Sequence, residues 1–166
     1  MKEQIIKRAI QFIALYGAQD FTARKLAKFV GISTRPFYYY FKDIADLKKA
    51  LIVEVLEKLK ETMSIKYTDN LYLNIGIGYV VFAKKYPEYY YVMNLRNFFD
   101  KFDEKAGGLE IDQFVLDNSH PDLKDIYEHI KTYTIGLALL VSESPDDYSI
   151  ERVSDLLMEA YKKLQK

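Results

Sequence analysis

The chain has 166 residues, 49% of them hydrophobic and 29% charged, enough for one domain with a sizeable core or a small domain joined to a larger one. It contains no cysteine, which excludes disulfides, thiolate metal sites and a cysteine nucleophile. Its formal net charge is zero, yet residues 1–49 hold ten Lys and Arg against four Asp and Glu, so this head carries +6 and the rest −6.

A basic head on an acidic body points to contact with a polyanion; the alternative is a chance clustering of solvated charges. The N-terminal "MKEQIIKRAIQFIALYG" mixes charged and apolar residues at helical spacing and has no continuous apolar signal stretch. No segment approaches the roughly 18 uninterrupted apolar residues of a membrane span. The expectation is a soluble, cytoplasmic, all-α protein with no membrane partner.

In chain order, the spacing predicts a first helix over about Lys2 to Tyr16, with Ile5, Ile6, Ala9, Phe12, Ile13 and Tyr16 on one stripe and Gly17 as its stop. Thr22 caps a short helix, "ARKLAKFV", that buries Leu26, Phe29 and Val30 and ends at Gly31. Ser33 caps a third helix a few residues later, with Ile32 and Phe37 as staple and Pro36 in the first turn, where a missing N–H matters little. Two short helices around a glycine turn, behind a longer supporting helix, form a helix-turn-helix pattern. Glycine turns between paired helices are common, so the pattern alone is partial evidence, which the capped and staple-started third helix strengthens.

Asp43 caps a long fourth helix, "IADLKKALIVEVLEKLKETM", and the pattern breaks between Ser64 and Asn70. A helix to about Lys85 contains Gly76 and Gly78, each unfavourable by about 1 kcal/mol relative to alanine unless they allow close helix contact or a bend. Pro87 restarts the chain as "EYYYVMNLRNFF", "KAGG" marks a loop at Lys105 to Gly108, and a short helix follows over about Glu110 to Asp117. Pro121 opens a helix to about Ser142, and the last runs from about Ser149 to Leu164.

The stretch from Ile5 to Leu47, "IIKRAIQFIALYGAQDFTARKLAKFVGISTRPFYYYFKDIADL", resembles the DNA-binding domain of the TetR/AcrR family of transcriptional regulators. The matching motifs are Thr22, Leu26 and Ala27, then Gly31, Ile32, Ser33, Phe37, Tyr38 and Phe41. The resemblance covers about the first 50 residues; the body shares only an all-helical layout. It implies an N-terminal helix-turn-helix head, residues 1–47, followed by a helical effector-binding and dimerisation body, residues 48–166. A homodimer on a near-palindromic double-stranded operator follows from it, with repression as the usual mode and no cofactor. Two departures stand out. Ile44 occupies the place of a phosphate-contacting lysine, with Lys42 two residues earlier, and Arg35–Pro36 replace small residues.

On the third helix Phe37 and Phe41 face inward and Tyr40 flanks them. Tyr38 and Tyr39 then point outward, where a phenol can reach a phosphate or base. Arg35 is the candidate for guanine readout, since its planar fork suits O6 and N7 in the major groove. Thr34 reaches a thymine methyl or a phosphate, and Ser33 divides between capping and phosphate. By resemblance Thr22, with Arg24, Lys25 and Lys42 nearby, meets the DNA backbone. Solvated surface is the competing reading for the lysines and Arg24, and packing for Tyr40.

The resemblance also implies that the last two long helices form a four-helix bundle across a two-fold axis. Ile135 and Leu139 on one and Leu156, Leu157, Ala160 and Tyr161 on the other are its candidate contacts; the alternative is a monomer that buries both helices internally. It likewise implies a small-molecule effector, apolar or aromatic, lined by Tyr79, Phe82, Tyr86, Tyr90, Phe98, Phe102 and Phe114, unless these are plain core. An enzyme is disfavoured: there is no phosphate-cradling glycine loop, and His120 and His129 are nine apart, off the metal-pair spacing of a helix. The remaining alternative is a helical protein-interaction module without sequence-specific DNA binding.

Overall fold

A computed structural model describes residues 1–95 and 121–164. Among these residues the regular elements are helices: α1 (Lys2–Tyr16), α2 (Ala23–Val30), α3 (Thr34–Tyr40), α4 (Ile44–Met63), α5 (Leu71–Lys85), α6 (Pro87–Met93), α7 (Pro121–Glu143) and α8 (Ile150–Leu164), with a 3-10 turn at Pro145–Asp147 before α8. The fold class is all-α, as expected. The loop at Lys105 to Gly108, the short helix at Glu110 to Asp117, and Phe98, Phe102, Phe114 and His120 lie outside the described residues.

Two compact units divide the chain. One is formed by Met1–Glu57 with the segment from Glu88, the other by Lys58–Pro87 with the C-terminal helices. In the first unit, α1 buries Ile5, Ile6, Ala9, Ile10, Phe12 and Ile13. Tyr16, expected on that stripe, is 57% exposed; its ring instead lies edge-on to Phe29, with centroids 5.9 Å apart. Gly17 ends α1 with φ +79°, a conformation that favours glycine. Thr22 caps α2 by accepting the Lys25 N–H at 3.3 Å. Leu26 is buried as expected, whereas Phe29 and Val30 are half-buried and Ala23 and Ala27 complete the inward face.

Gly31 is left-handed at φ +77°, and its N–H donates to the carbonyls of Ala27 and Lys28 while that of Ile32 reaches Ala27 at 3.0 Å. Such a closure ends one helix within a residue and allows the next to begin almost at once. Ser33 takes the N-cap position of α3, but its hydroxyl makes no capping bond, which corrects that part of the expectation. Asp43 does cap α4: its Oδ1 accepts the Asp46 N–H at 2.9 Å, and the Asp46 carboxylate accepts the Lys42 N–H at 3.0 Å. Along α4 the buried residues Leu47, Leu51, Val55, Leu59 and Thr62 recur every three or four positions.

The second unit is organised around α5, which packs on both α7 and α8. Its face is unusually apolar, with Ile77, Val80, Val81, Phe82 and Ala83 fully enclosed. A Cβ on Gly78 would meet the Met63 Cα at 2.5 Å and the Thr62 carbonyl oxygen at 2.6 Å, so only glycine lets α5 approach the end of α4 this closely. Gly76 differs: a Cβ there would make ordinary contact, 3.5 Å from Thr134 Oγ1 and 3.7 Å from Leu157 Cδ1.

The turn into α5 is tied by two asparagines. Asn70 caps the helix, accepting from Tyr72 N at 3.0 Å and Leu73 N at 3.2 Å. Buried Asn74 accepts the N–H groups of Tyr67 and Thr68, at 3.1 and 2.6 Å, and donates to the Thr68 carbonyl at 2.9 Å. The Tyr67 phenol donates to the Thr62 carbonyl at 3.1 Å, and burial raises its pKa above the ordinary tyrosine value. At the other end of α5, Lys84 donates to the Pro145 carbonyl. Ser149 caps α8, accepting the Arg152 N–H at 3.1 Å.

Candidate nucleic-acid interface

The third helix is held from one side only. Phe37 is 1% exposed and Phe41 2%, their ring centroids 5.7 Å apart. At about 100° per residue the remaining positions sort by direction. Pro36 and Tyr40, both on one flank of Phe37, are half-buried. Arg35 and Tyr39 fall nearly opposite Phe37, Tyr38 stands about 100° from it, and Thr34 occupies the first position of the helix. All four are exposed, Tyr38 at 59% and Tyr39 at 80%.

The phenols are braced rather than loose. Tyr38 stands edge-on to Phe37 at 5.0 Å and Tyr39 edge-on to Tyr40 at 4.8 Å. Each outward ring therefore leans on an inward neighbour, which restricts its rotamers and keeps the hydroxyl out in solvent. The lysine at the chain start contributes to the same bracing, with Lys2 Nζ 5.8 Å above the Phe41 ring.

The elements before and after α3 carry cations. Arg24 and Lys25 occupy the first turn of α2, which contains no acid, and both are exposed. Thr22 is exposed while its hydroxyl oxygen caps the helix. Lys25 forms an ion pair with Asp20, a contact that sequence spacing did not reveal because the pair bridges the loop before α2 rather than a helical turn. Lys42 is exposed and its backbone N–H is held by Asp46, so its side chain projects from the connection between α3 and α4. Ile44 is half-buried at the first position of α4. Ser33, with its hydroxyl not engaged in capping, is exposed at the entry to α3. An arginine, a threonine and two phenols are thus exposed on one short helix, with exposed basic residues on the elements that precede and follow it. Such a set can donate to phosphate and to base edges.

The other candidate residues are distributed differently. Phe82 is fully enclosed, and Tyr79 on α5 and Tyr86 at its C-cap are half-buried, with the Lys58 ammonium 5.6 Å from the Tyr86 ring. Tyr90 is buried on α6. On α7 the apolar run divides in two. Leu137, Ala138 and Val141 are buried, and Ile135, Leu139 and Leu140 are exposed, the last two at 52% and 53%. Leu157 of α8 is buried against α5 near Gly76, so it serves the chain's own core, while Leu156, Ala160 and Tyr161 are half-buried. The sequence pattern could not divide these residues, because hydrophobic side chains alone do not say which neighbour they meet. His129 is exposed. Among the described residues no cluster of potential metal ligands occurs, and no helix is long and apolar enough to cross a membrane.

No protein-family model matches the chain, and no curated protein matches it in sequence. Solved structures do. A TetR-family transcriptional regulator from Haemophilus influenzae superposes with a TM-score of 0.61 at 16% identity, over 97% of this chain and 94% of that one. The chain has a TetR-like fold. A transcriptional regulator from Rhodococcus shares it with a TM-score of 0.58 at 14% identity, over 98% of this chain and 95% of the other. The fatty acid degradation regulator FadR from Bacillus halodurans does so at 0.55 and 18%, over 99% and 94%. The likeness extends along nearly the whole of each chain, so the TetR-like fold includes the body as well as the head.

Proposed function

We propose that this chain is a DNA-binding transcriptional regulator of the TetR type. The single observation that carries the reading is the two-sided third helix. Phe37 and Phe41 lock it from within, and Thr34, Arg35, Tyr38 and Tyr39 are exposed, while the preceding helix exposes Arg24 and Lys25 in its first turn. In this reading residues 1–47 are the head that enters the major groove. Arg35 reads a guanine edge, Thr34 and Tyr39 approach bases, and Thr22, Ser33, Tyr38 and Lys42 meet phosphates.

Residues 48–166 form the body that pairs two copies, so that two heads meet an inverted repeat on successive turns of one face. The exposed Ile135, Leu139 and Leu140 of α7 support that pairing, since a second copy would remove their apolar surface from water. The half-buried phenols of Tyr79 and Tyr86 support a small apolar or aromatic effector that changes the head spacing, with repression relieved on its binding.

Selecting bound duplexes from a random pool tests the reading. It expects an inverted repeat, and affinity that falls steeply with salt as phosphate contacts release counterions. In that motif Arg35→Ala should blur one base position, a discrimination of about 1–3 kcal/mol, whereas Tyr38→Phe should weaken all sequences alike. A pure, folded protein with no low-salt affinity for any duplex would falsify it and leave a helical protein-interaction module.

A further inference from the structure

The four carboxylates of residues 1–49 have different surroundings. Asp43 and Asp46 accept backbone N–H groups at the start of α4, and Glu3 sits in the first turn of α1, where an acid suits the helix dipole. Asp20 lies in the loop ahead of α2, and its carboxylate is paired with the Lys25 ammonium. Both side chains remain open to solvent, 58% and 53% exposed. Lys25 and its neighbour Arg24 stand in the first turn of α2, the positive end of the helix, where a cation is unfavourable and an anion welcome. The chain thus places two cations where the backbone disfavours them and supplies one acid to compensate.

We propose that Asp20 is an internal competitor for DNA phosphate: it holds Lys25 in the free protein and yields it to a backbone phosphate when a duplex binds. The inference rests on the DNA-binding reading and adds an affinity-setting residue to it. The exchange is possible because the pair is exposed, so water eases its breaking and the lysine stem can swing. Binding then replaces one ion pair by another. Lys25 neutralises a phosphate whether or not an acid stands beside it, so the counterions released from DNA are the same, and Asp20 lowers affinity by the strength of the pair that must break. A phosphate contact carries no sequence information, so Asp20 lowers affinity for every duplex in the same proportion.

The test measures binding of the full chain to a mixed-sequence duplex and to a selected duplex across a salt series, for wild type, Asp20→Asn, Lys25→Ala and the double variant. Asp20→Asn is expected to tighten both complexes about two- to five-fold, the range of an exposed ion pair, while Lys25→Ala flattens the slope of log K against log salt by about 0.9. In the Lys25→Ala background Asp20→Asn should no longer tighten either complex. Asp20→Ala serves as a second neutral variant, and thermal melting of each protein confirms that the head is folded. Unchanged affinity in both folded neutral variants, or the same tightening with and without Lys25, with wild type binding DNA normally, would overturn the role of Asp20 and leave the regulator reading standing. If wild type and variants alike bind neither duplex at low salt, the regulator reading itself fails and the inference goes with it.

Discussion

Between α1 and α4 each connection closes on itself within a few residues. Gly17 stops α1, Thr22 caps α2, Gly31 returns its N–H to Ala27 and Lys28, and Asp43 and Asp46 tie the start of α4. The unit built on α5 is held by contacts of a different kind. Gly78 lies under the backbone of Thr62 and Met63, Gly76 faces Thr134 and Leu157, and Lys84 reaches Pro145. The first region is specified by caps and glycine turns that close each stretch on its own backbone. The second is specified by what other helices bring to it. Local closure suits a head whose outward residues must keep their directions, since few distant contacts are needed to hold them.

The comparison is tested hardest at the two glycines. Gly78→Ala should destabilise the protein by about 3 kcal/mol, because the added methyl must displace backbone rather than a flexible side chain. Gly76→Ala should be neutral or stabilising by up to about 1 kcal/mol through helix propensity. Urea unfolding of the pair checks this, and equal effects would break the distinction. Next in size, Asn74→Ala should lose about 2 kcal/mol, since it strips partners from the N–H groups of Tyr67 and Thr68. Amide exchange at those two positions should accelerate with it.

In the head, Thr22→Ala should lose about 1 kcal/mol, the usual worth of an N-cap, and its amide signature should stay confined to the first turn of α2. A change that spread into α4 would argue against local closure. The smallest effect concerns Tyr67. Burial raises its phenol pKa, so the folded protein holds that proton more tightly than the unfolded chain does. The resulting stabilisation is complete below about pH 10, the unfolded tyrosine value, and declines as pH rises from there through the folded value. Tyr67→Phe should remove this alkaline decline, which stability curves at neutral and alkaline pH would detect.

The same division governs how much could be read in advance. Thr22, Gly31, Phe37, Phe41, Tyr38 and Tyr39 behave as their spacing implies, because a cap, a glycine turn and a 3.6-residue period act over a few residues. Tyr16 and Ser33 departed from expectation where a local pattern allowed two outcomes: a residue at the end of an apolar stripe can face either way, and an N-cap serine need not bond its own helix. The Asp20–Lys25 pair has no signature in the sequence because it joins a loop to a helix, a geometry without a fixed spacing.

By itself, the sequence determined the all-helical character, the helix-turn-helix order and the inner and outer sides of α3. Each depends on interactions within one or two turns of chain. Only the tertiary structure decided that Gly78 is compelled and Gly76 is not, that Asn74 closes the turn before α5, and that Leu157 is buried while Leu139 is exposed. The reason is physical: a glycine or a leucine carries the same local preference wherever it stands, and its role is set by which distant atoms arrive beside it.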